Sequence, residues 1–308
     1  MTVAAPSGSR LRGTPTRRRN ESVIGAILLS ASVLSILVSA GIVLSLIFEA
    51  IRFVSSIELP RLFDAGWFPR RGMFSIPTVF AGSLMVTAIA MLVAAPIGLA
   101  SAIYLAEFAS PRVRKTVKPI LEILAGIPSV VLGFFALTLI NPVFVKGIFP
   151  GAKPSTILAA GIGVGLLTIP LVASVSEDAM RAVPQALREA SYGLGARRLT
   201  TSMKVVVPAA ISGIVAAMIL AASRAVGETM VVALAAGATA GSLFTLDPLG
   251  PGQTLTGAMA SLAAGSDQVT GNSAAFLSLF FLGFLLFAIT LLLNLVGDVF
   301  VRRTRQKY

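Results

Sequence analysis

Six apolar stretches, each near or above the roughly 20 residues that an α-helix needs to cross a hydrocarbon core, dominate this sequence: 23–48, 79–106, 120–140, 157–176, 209–236 and 275–299. With 56% hydrophobic and only 12% charged residues and a mean hydropathy of +0.89, the chain is too apolar to bury its own surface as a soluble domain. The expectation is an all-α polytopic membrane protein with six transmembrane helices. Residues 1–21, rich in Arg, Gly, Ser, Thr and Pro, read as a basic, solvated and disordered tail. The apolar run behind them is about twice the length of a signal-peptide core, so it reads as a retained first span.

Six spans place both termini on one side of the membrane, and the basic residues identify that side. Arg10, Arg12, Arg17, Arg18 and Arg19 precede the first span, and Arg112, Arg114, Lys115 and Lys118 follow the second. Arg181, Arg188, Arg197, Arg198 and Lys204 follow the fourth, and Arg302, Arg303, Arg305 and Lys307 follow the sixth. The opposite loops hold only Arg52, Arg61, Arg70, Arg71, Lys146 and Lys153. Both ends and the 184–208 loop are therefore expected in the cytoplasm. The net charge of +12 marks topology rather than a nucleic-acid partner.

On the other side, Trp67, Phe68 and Pro69 suit a turn lying at the membrane interface. The long loop 237–272 has a short amphipathic or re-entrant helix expected over 253–264. Pro96, Gly126, Pro128, Gly133 and Pro170 interrupt the spans. Their freed backbone groups require neighbouring helices or a water-lined path.

The chain has no cysteine and no histidine, which removes disulfides, thiol nucleophiles, His-based triads and HExxH metal sites together. A lipid-modifying membrane enzyme is left without its usual nucleophile and base. No acidic cluster spaced for a metal stands inside the spans.

Two polar stretches remain to carry function. The first is EASYGLGARRLTTSMKVVVP, from Glu189 to Pro208. A helix over 185–192, with Pro184 at its first position, reverses at Gly193 and Gly195 into a second short helix. Ala190 and Ser191 are small enough to seat in a partner's cleft, Glu189 offers a carboxylate to a basic partner, and Gly195 permits the reversal. The second is SRAVGETMVV in the fifth span, where Arg224 and Glu228 stand four apart, on one face of a continuous helix. The sixteen residues from Pro208 place Arg224 about 24 Å along that helix, in the outer half of the membrane. A guanidinium there suits an oxyanion, because its planar fork donates paired hydrogen bonds. An ion pair with Glu228 that only neutralises Arg224 is the plainer alternative.

The spacing from Glu189 through Gly195 to Val205, Val207 and Pro208 resembles the EAA loop of ABC-transporter permeases, with Ser191 replacing the second alanine. LVAAPIGLASAIYLAEFA, LEILAGIPSVVLGFFAL, TIPLVASVSEDAMRAVPQALREASYGLGA and SRAVGETMVVALAAG resemble phosphate-uptake ABC permeases of the PstC type, over residues 78–300. The resemblance implies a type I importer fold: a first helix and outer loop over 22–77, a permease domain over 78–300 with its coupling loop at 184–208, and a basic tail over 301–308. It implies that Arg224 and Glu228 serve translocation and that Glu189, Ala190, Ser191 and Gly195 dock on an ATPase. It also implies a homologous second permease, two cytoplasmic ATP-binding subunits that bind ATP and Mg, an extracytoplasmic phosphate-binding protein, and a home in the bacterial cytoplasmic membrane. This chain has no Walker A sequence, so no cofactor or hydrolysis is expected of it. A permease for sulfate or molybdate, or an ion-driven anion carrier using Glu228, are the competing readings.

Overall fold

The computed structural model describes residues 15–237, 241–264 and 273–304. Arg10, Arg12, Arg305, Lys307 and part of the 237–272 loop lie outside them. The chain divides into two units, residues 1–48 and 49–308. Helix α1, Pro15–Ser56, supplies the first unit and runs into the second. Its start corrects the expectation of a disordered tail to residue 21. Proline is preorganised for a first helical turn, and the arginines that follow are good helix formers. Apolar side chains such as Leu28, Ile36 and Leu44 stand exposed along it, as on a helix that meets lipid.

In the second unit, α2 (Ile76–Ile103) ends in a π-wound turn at Tyr104–Phe108. Helix α3 (Pro111–Ala125) and α4 (Ser129–Phe135) follow, the latter continuing through a π-wound stretch, Ala136–Val145, into α5 (Lys146–Ile148). The third span is therefore Ser129–Ile148, not 120–140. Pro128 cannot continue a helix from the residues before it, and the charged, amphipathic α3 is cut off there as a separate element.

Helix α6 (Ile157–Arg181) precedes α7 (Gln185–Gly193) and α8 (Arg198–Thr201). Pro184 caps α7 instead of opening it. After a π-wound turn, α9 (Val207–Ala209) meets α10 (Ile211–Val226) at a bend of 69°. Then come α11 (Met230–Ala235), α12 (Leu255–Ala264), which realises the helix expected over 253–264, and α13 (Ala274–Thr304). Five helices among the described residues are long and apolar enough to span a membrane, and six if the bent pair is one span.

The core is built around α6, which packs against α2, α3, α4, α10 and α11. Its small residues permit the approach: a Cβ on Gly161 would stand 2.6 Å from the Ile89 side chain of α2. Close backbone contact of this kind replaces the hydrophobic drive that lipid removes. Buried Asn141 donates to the carbonyls of Lys153 and Pro154 and accepts from Thr156, whose hydroxyl caps α6. The loop entering α6 is thereby held against the third span.

A three-stranded sheet closes the end of the unit where α2 begins. Strand β1 (Gly66–Phe68) lies between β2 (Met73–Phe74) and β3 (Ser242–Leu243), antiparallel to both, with Trp67 opposite Phe74 and Ser242. Trp67 is 1% exposed, which corrects the expectation of an interfacial turn. Strand pairing turns the indole inward against Phe74, which meets Phe53 edge-on, and Phe53 stacks in turn on Phe281. Trp67→Ala should cost about 3–5 kcal/mol through the cavity it leaves, seen as a lower thermal unfolding midpoint of the solubilised importer.

Candidate functional site

The fifth span is broken where a continuous helix was expected. Helix α10 ends at Val226, Gly227 caps it, and α11 starts only at Met230. Arg224 and Glu228 therefore do not share one helix face, and among the described residues they form no ion pair. The Glu228 carboxylate turns toward the first free N–H groups of α11, with Oε1 3.5 Å from the Val231 nitrogen, where a negative charge opposes the helix dipole. Its own carbonyl accepts a 2.7 Å hydrogen bond from Thr256 of α12. The break follows from Gly227 and from these partners, which satisfy backbone groups that an apolar medium would leave unpaired. The 69° bend at Ala210 also overturns the straight-helix distance. Measured from Ile211, Arg224 stands about 20 Å along α10.

Arg224 is exposed to a cavity of about 660 Å³ between α3, α6, α10 and α13. Glu122 at the end of α3, Ser223 beside Arg224, and Thr290 and Asn294 of α13 share its wall with Pro170 and other apolar side chains of α6. Ser223 donates to Asn294 Oδ1 at 3.3 Å, leaving the Asn294 amide nitrogen as a donor. A guanidinium, an amide and hydroxyls around a mostly apolar chamber can receive a small oxyanion. Glu122 supplies an opposing charge that no span pattern had singled out.

At the other polar stretch, the expected helix–reversal–helix is present. Gly195 has φ +79°, a left-handed conformation that costs any other residue strain. Glu189 and Ala190 are exposed, while Ser191 is half-buried. The Ser191 and Thr201 hydroxyls lie 2.9 Å apart and hydrogen-bond. Ser191 therefore ties α7 to α8. Leu194 is 90% exposed and Leu199 62%, two apolar side chains that the hairpin leaves uncovered.

Two charge clusters anchor this end, and their importance was not evident from the basic-residue count. Glu107, in the turn that closes α2, is buried and meets Arg188 of α7 at 2.9 Å. The same guanidinium donates to the carbonyls of Met180 and Val183 at 2.9 and 2.7 Å. Ser202 donates to the second carboxylate oxygen at 3.4 Å. Nearby, fully buried Glu177 of α6 lies 2.7 Å from Arg114 and 3.4 Å from Lys118. These are ion pairs without hydrogen-bond geometry. Lys118 also reaches Asp178 at 2.9 Å.

Arg114, Lys118 and Glu122 repeat every four residues, so one face of α3 grips α6 and ends at the cavity. The hydrogen bond that Lys118 donates to Asp178 raises the lysine pKa above its ordinary 10.5, against the opposing pull of burial and with added attraction from Glu177. Its stabilisation is thus complete below pH 10.5 and is lost as pH rises through the raised value. The signal available in the sequence was an acid at the end of an apolar span, which must find a cation to be buried.

Arg188→Ala should leave Glu107 buried and uncompensated, lowering stability by about 3–5 kcal/mol. Arg188→Met with Glu107→Gln should recover much of the loss, as read by thermal unfolding of the assembled complex.

A family model described as "Binding-protein-dependent transport system inner membrane component" matches residues 94–306. The chain is 34% identical over 272 residues to the probable ABC transporter permease protein YqgH of Bacillus subtilis, covering 81% of this chain and 86% of the relative. It is 29% identical over 326 residues to the phosphate transport system permease protein PstC of Mesorhizobium japonicum, covering 97% and 96%. A solved bacterial alginate ABC transporter, in complex with an alginate pentasaccharide-bound periplasmic protein, superposes with TM-score 0.63 at 14% identity over 95% of this chain and 98% of that one. That likeness concerns the fold, the one used by type I importer permeases. With the match running from inside α2 to the end of α13, the chain belongs to the binding-protein-dependent transport system inner membrane components and is a permease subunit of an ABC importer.

Proposed function

We propose that this permease conducts inorganic phosphate into the cell, with Arg224 as the oxyanion contact. The carrying observation is Arg224 itself, a guanidinium without an ion-pair partner among the described residues, in a chamber walled by four helices of the membrane domain. Such a charge is costly in the spans unless a cavity or a cargo receives it. Phosphate is preferred over sulfate or molybdate because the relatives that span nearly the whole chain are named for phosphate transport.

In the working importer, a homologous permease would complete the translocation path and two cytoplasmic ATP-binding subunits would dock on α7 and α8. An extracytoplasmic phosphate-binding protein would deliver cargo at the opposite end. ATP and Mg belong to the ATP-binding subunits, and this chain hydrolyses nothing. Both termini lie in the cytoplasm, on the side richer in Lys and Arg.

Closure of the ATP-binding subunits on nucleotide shifts the permease pair between outward-open and inward-open states, by as much as the nucleotide binds one state better than the other. The displacement enters through Glu189 and Ala190, passes by Arg188 to Glu107 at the foot of α2, and reaches the chamber along α6 and α10.

Two measurements test the reading. In proteoliposomes holding the full complex, Arg224→Ala should lower ATP-driven phosphate uptake by roughly tenfold to a hundredfold, the worth of hydrogen bonds to a charged group, without loss of assembly. Equal uptake in both proteins discards Arg224 as the contact, and sulfate uptake without phosphate uptake discards the cargo. Gly195→Leu should let ATP hydrolysis continue while uptake falls, because the strained turn displaces the docking surface. Unchanged coupling counts against the role of the reversal.

A further inference from the structure

The chamber that Arg224 faces also carries a charge of the wrong sign for an anion. Glu122, in the last turn of α3, lines it together with Ser223, Thr290 and Asn294. Its side chain is exposed, and among the described residues it forms no ion pair. Lys118, one turn earlier on the same face, is committed to Glu177 and Asp178 at 3.4 and 2.9 Å.

Glu122 lines a second cavity as well, of about 460 Å³, with Arg114, Lys115 and Lys118. Arg114 is held by Glu177 at 2.7 Å, whereas Lys115 has no ion-pair partner among the described residues. The carboxylate therefore stands on a wall shared by two cavities, with Arg224 in one and Lys115 in the other. An anion moving between them passes it.

A group that only accepts has a definite effect at such a place. Beside an oxyanion, a carboxylate is repelled by charge and has no proton to offer. The repulsion is offset when the anion itself donates, because an O–H to a carboxylate is a short, charge-assisted hydrogen bond. Phosphate at neutral pH retains a P–OH, and sulfate has no hydroxyl.

We propose that Glu122 is the specificity-determining residue of the translocation path, accepting a hydrogen bond from the hydroxyl of a protonated oxyanion and turning away an oxyanion that has none. Arg224 cannot make this distinction, since a guanidinium fork fits phosphate and sulfate alike. Discrimination comes from the repulsive element, which penalises the wrong ligand and leaves the right one a partner. The role rests on the cargo reading above and adds to it the side chain that separates phosphate from sulfate. No proton is transferred: the hydrogen bond forms as the ion arrives and is broken as it moves on.

The test uses the assembled complex in lipid nanodiscs, without nucleotide and without the binding protein, whose own selectivity would mask that of the chamber. Equilibrium dialysis with labelled phosphate and, in parallel, labelled sulfate gives the chamber's share as the binding that Arg224→Ala removes. That share should favour phosphate. Glu122→Gln should weaken phosphate and tighten sulfate, narrowing the preference at least about tenfold, because the amide removes the charge and offers a donor to an anion that brings none. Arsenate, which bears a hydroxyl, should follow phosphate in both proteins. The exposed position of Glu122 lets the fold tolerate the change, so the thermal unfolding midpoint should stay that of the parent complex.

Phosphate and sulfate shifting together in Glu122→Gln, or arsenate following sulfate, overturns the role of Glu122 and leaves the chamber as an anion site. If Arg224→Ala removes no binding of either anion, the cargo reading falls and the role of Glu122 falls with it.

Discussion

The structure of the α7–α8 end depends on one buried carboxylate. Glu107 sits where α2 gives way to a π-wound turn, almost without solvent, and a charge there is tolerated only when it is paired and its remaining lone pairs are met. Arg188 meets it with part of its fork and uses the rest on the Met180 and Val183 carbonyls, which lie at the end of α6 where intrahelical donors have run out. A lysine, with one nitrogen, could not reach both carbonyls and the carboxylate at once. The helix that carries Glu189 is consequently joined to two spans through a single side chain.

Elsewhere the absence of water inside a membrane governs what is allowed. The α2–α6 contact relies on glycines that let backbones approach, and buried Asn141 and Thr156 use their hydrogen-bonding capacity on each other and on nearby backbone. The interruption at Gly227 is possible because α12 comes up against it: Thr256 supplies a donor to the freed Glu228 carbonyl, and the Glu228 side chain faces the start of α11. The long loop thus completes a span that would otherwise carry unpaired backbone into an apolar medium.

The spans, the α7–α8 hairpin and the short helix α12 were legible because each rests on local pattern: apolar length, a proline–glycine frame, a brief amphipathic run. Gly195 could be singled out since its role is its own backbone. What escaped was pairing at a distance. Glu107 and Arg188 are separated by 81 positions and Arg114 and Glu177 by 63, and no period links them. Trp67 read as an interfacial residue because strand pairing across a long loop, which buries it, leaves no local trace. Arg224 and Glu228 looked like neighbours on one face for the opposite reason: helical spacing was assumed through Gly227, and glycine followed by polar residues is where such an assumption is weakest.

Helix α10 is 16 residues long, about 24 Å of rigid rod, with a sharp corner at Ala210 and a gap at Gly227. A rod with an articulation at each end is a lever. A tilt of about 10° imposed at the corner would carry the far end through on the order of 4 Å, by the same rise per residue. Arg224 rides near that far end, so a modest push at the corner is geometrically magnified at its guanidinium and in the chamber it faces.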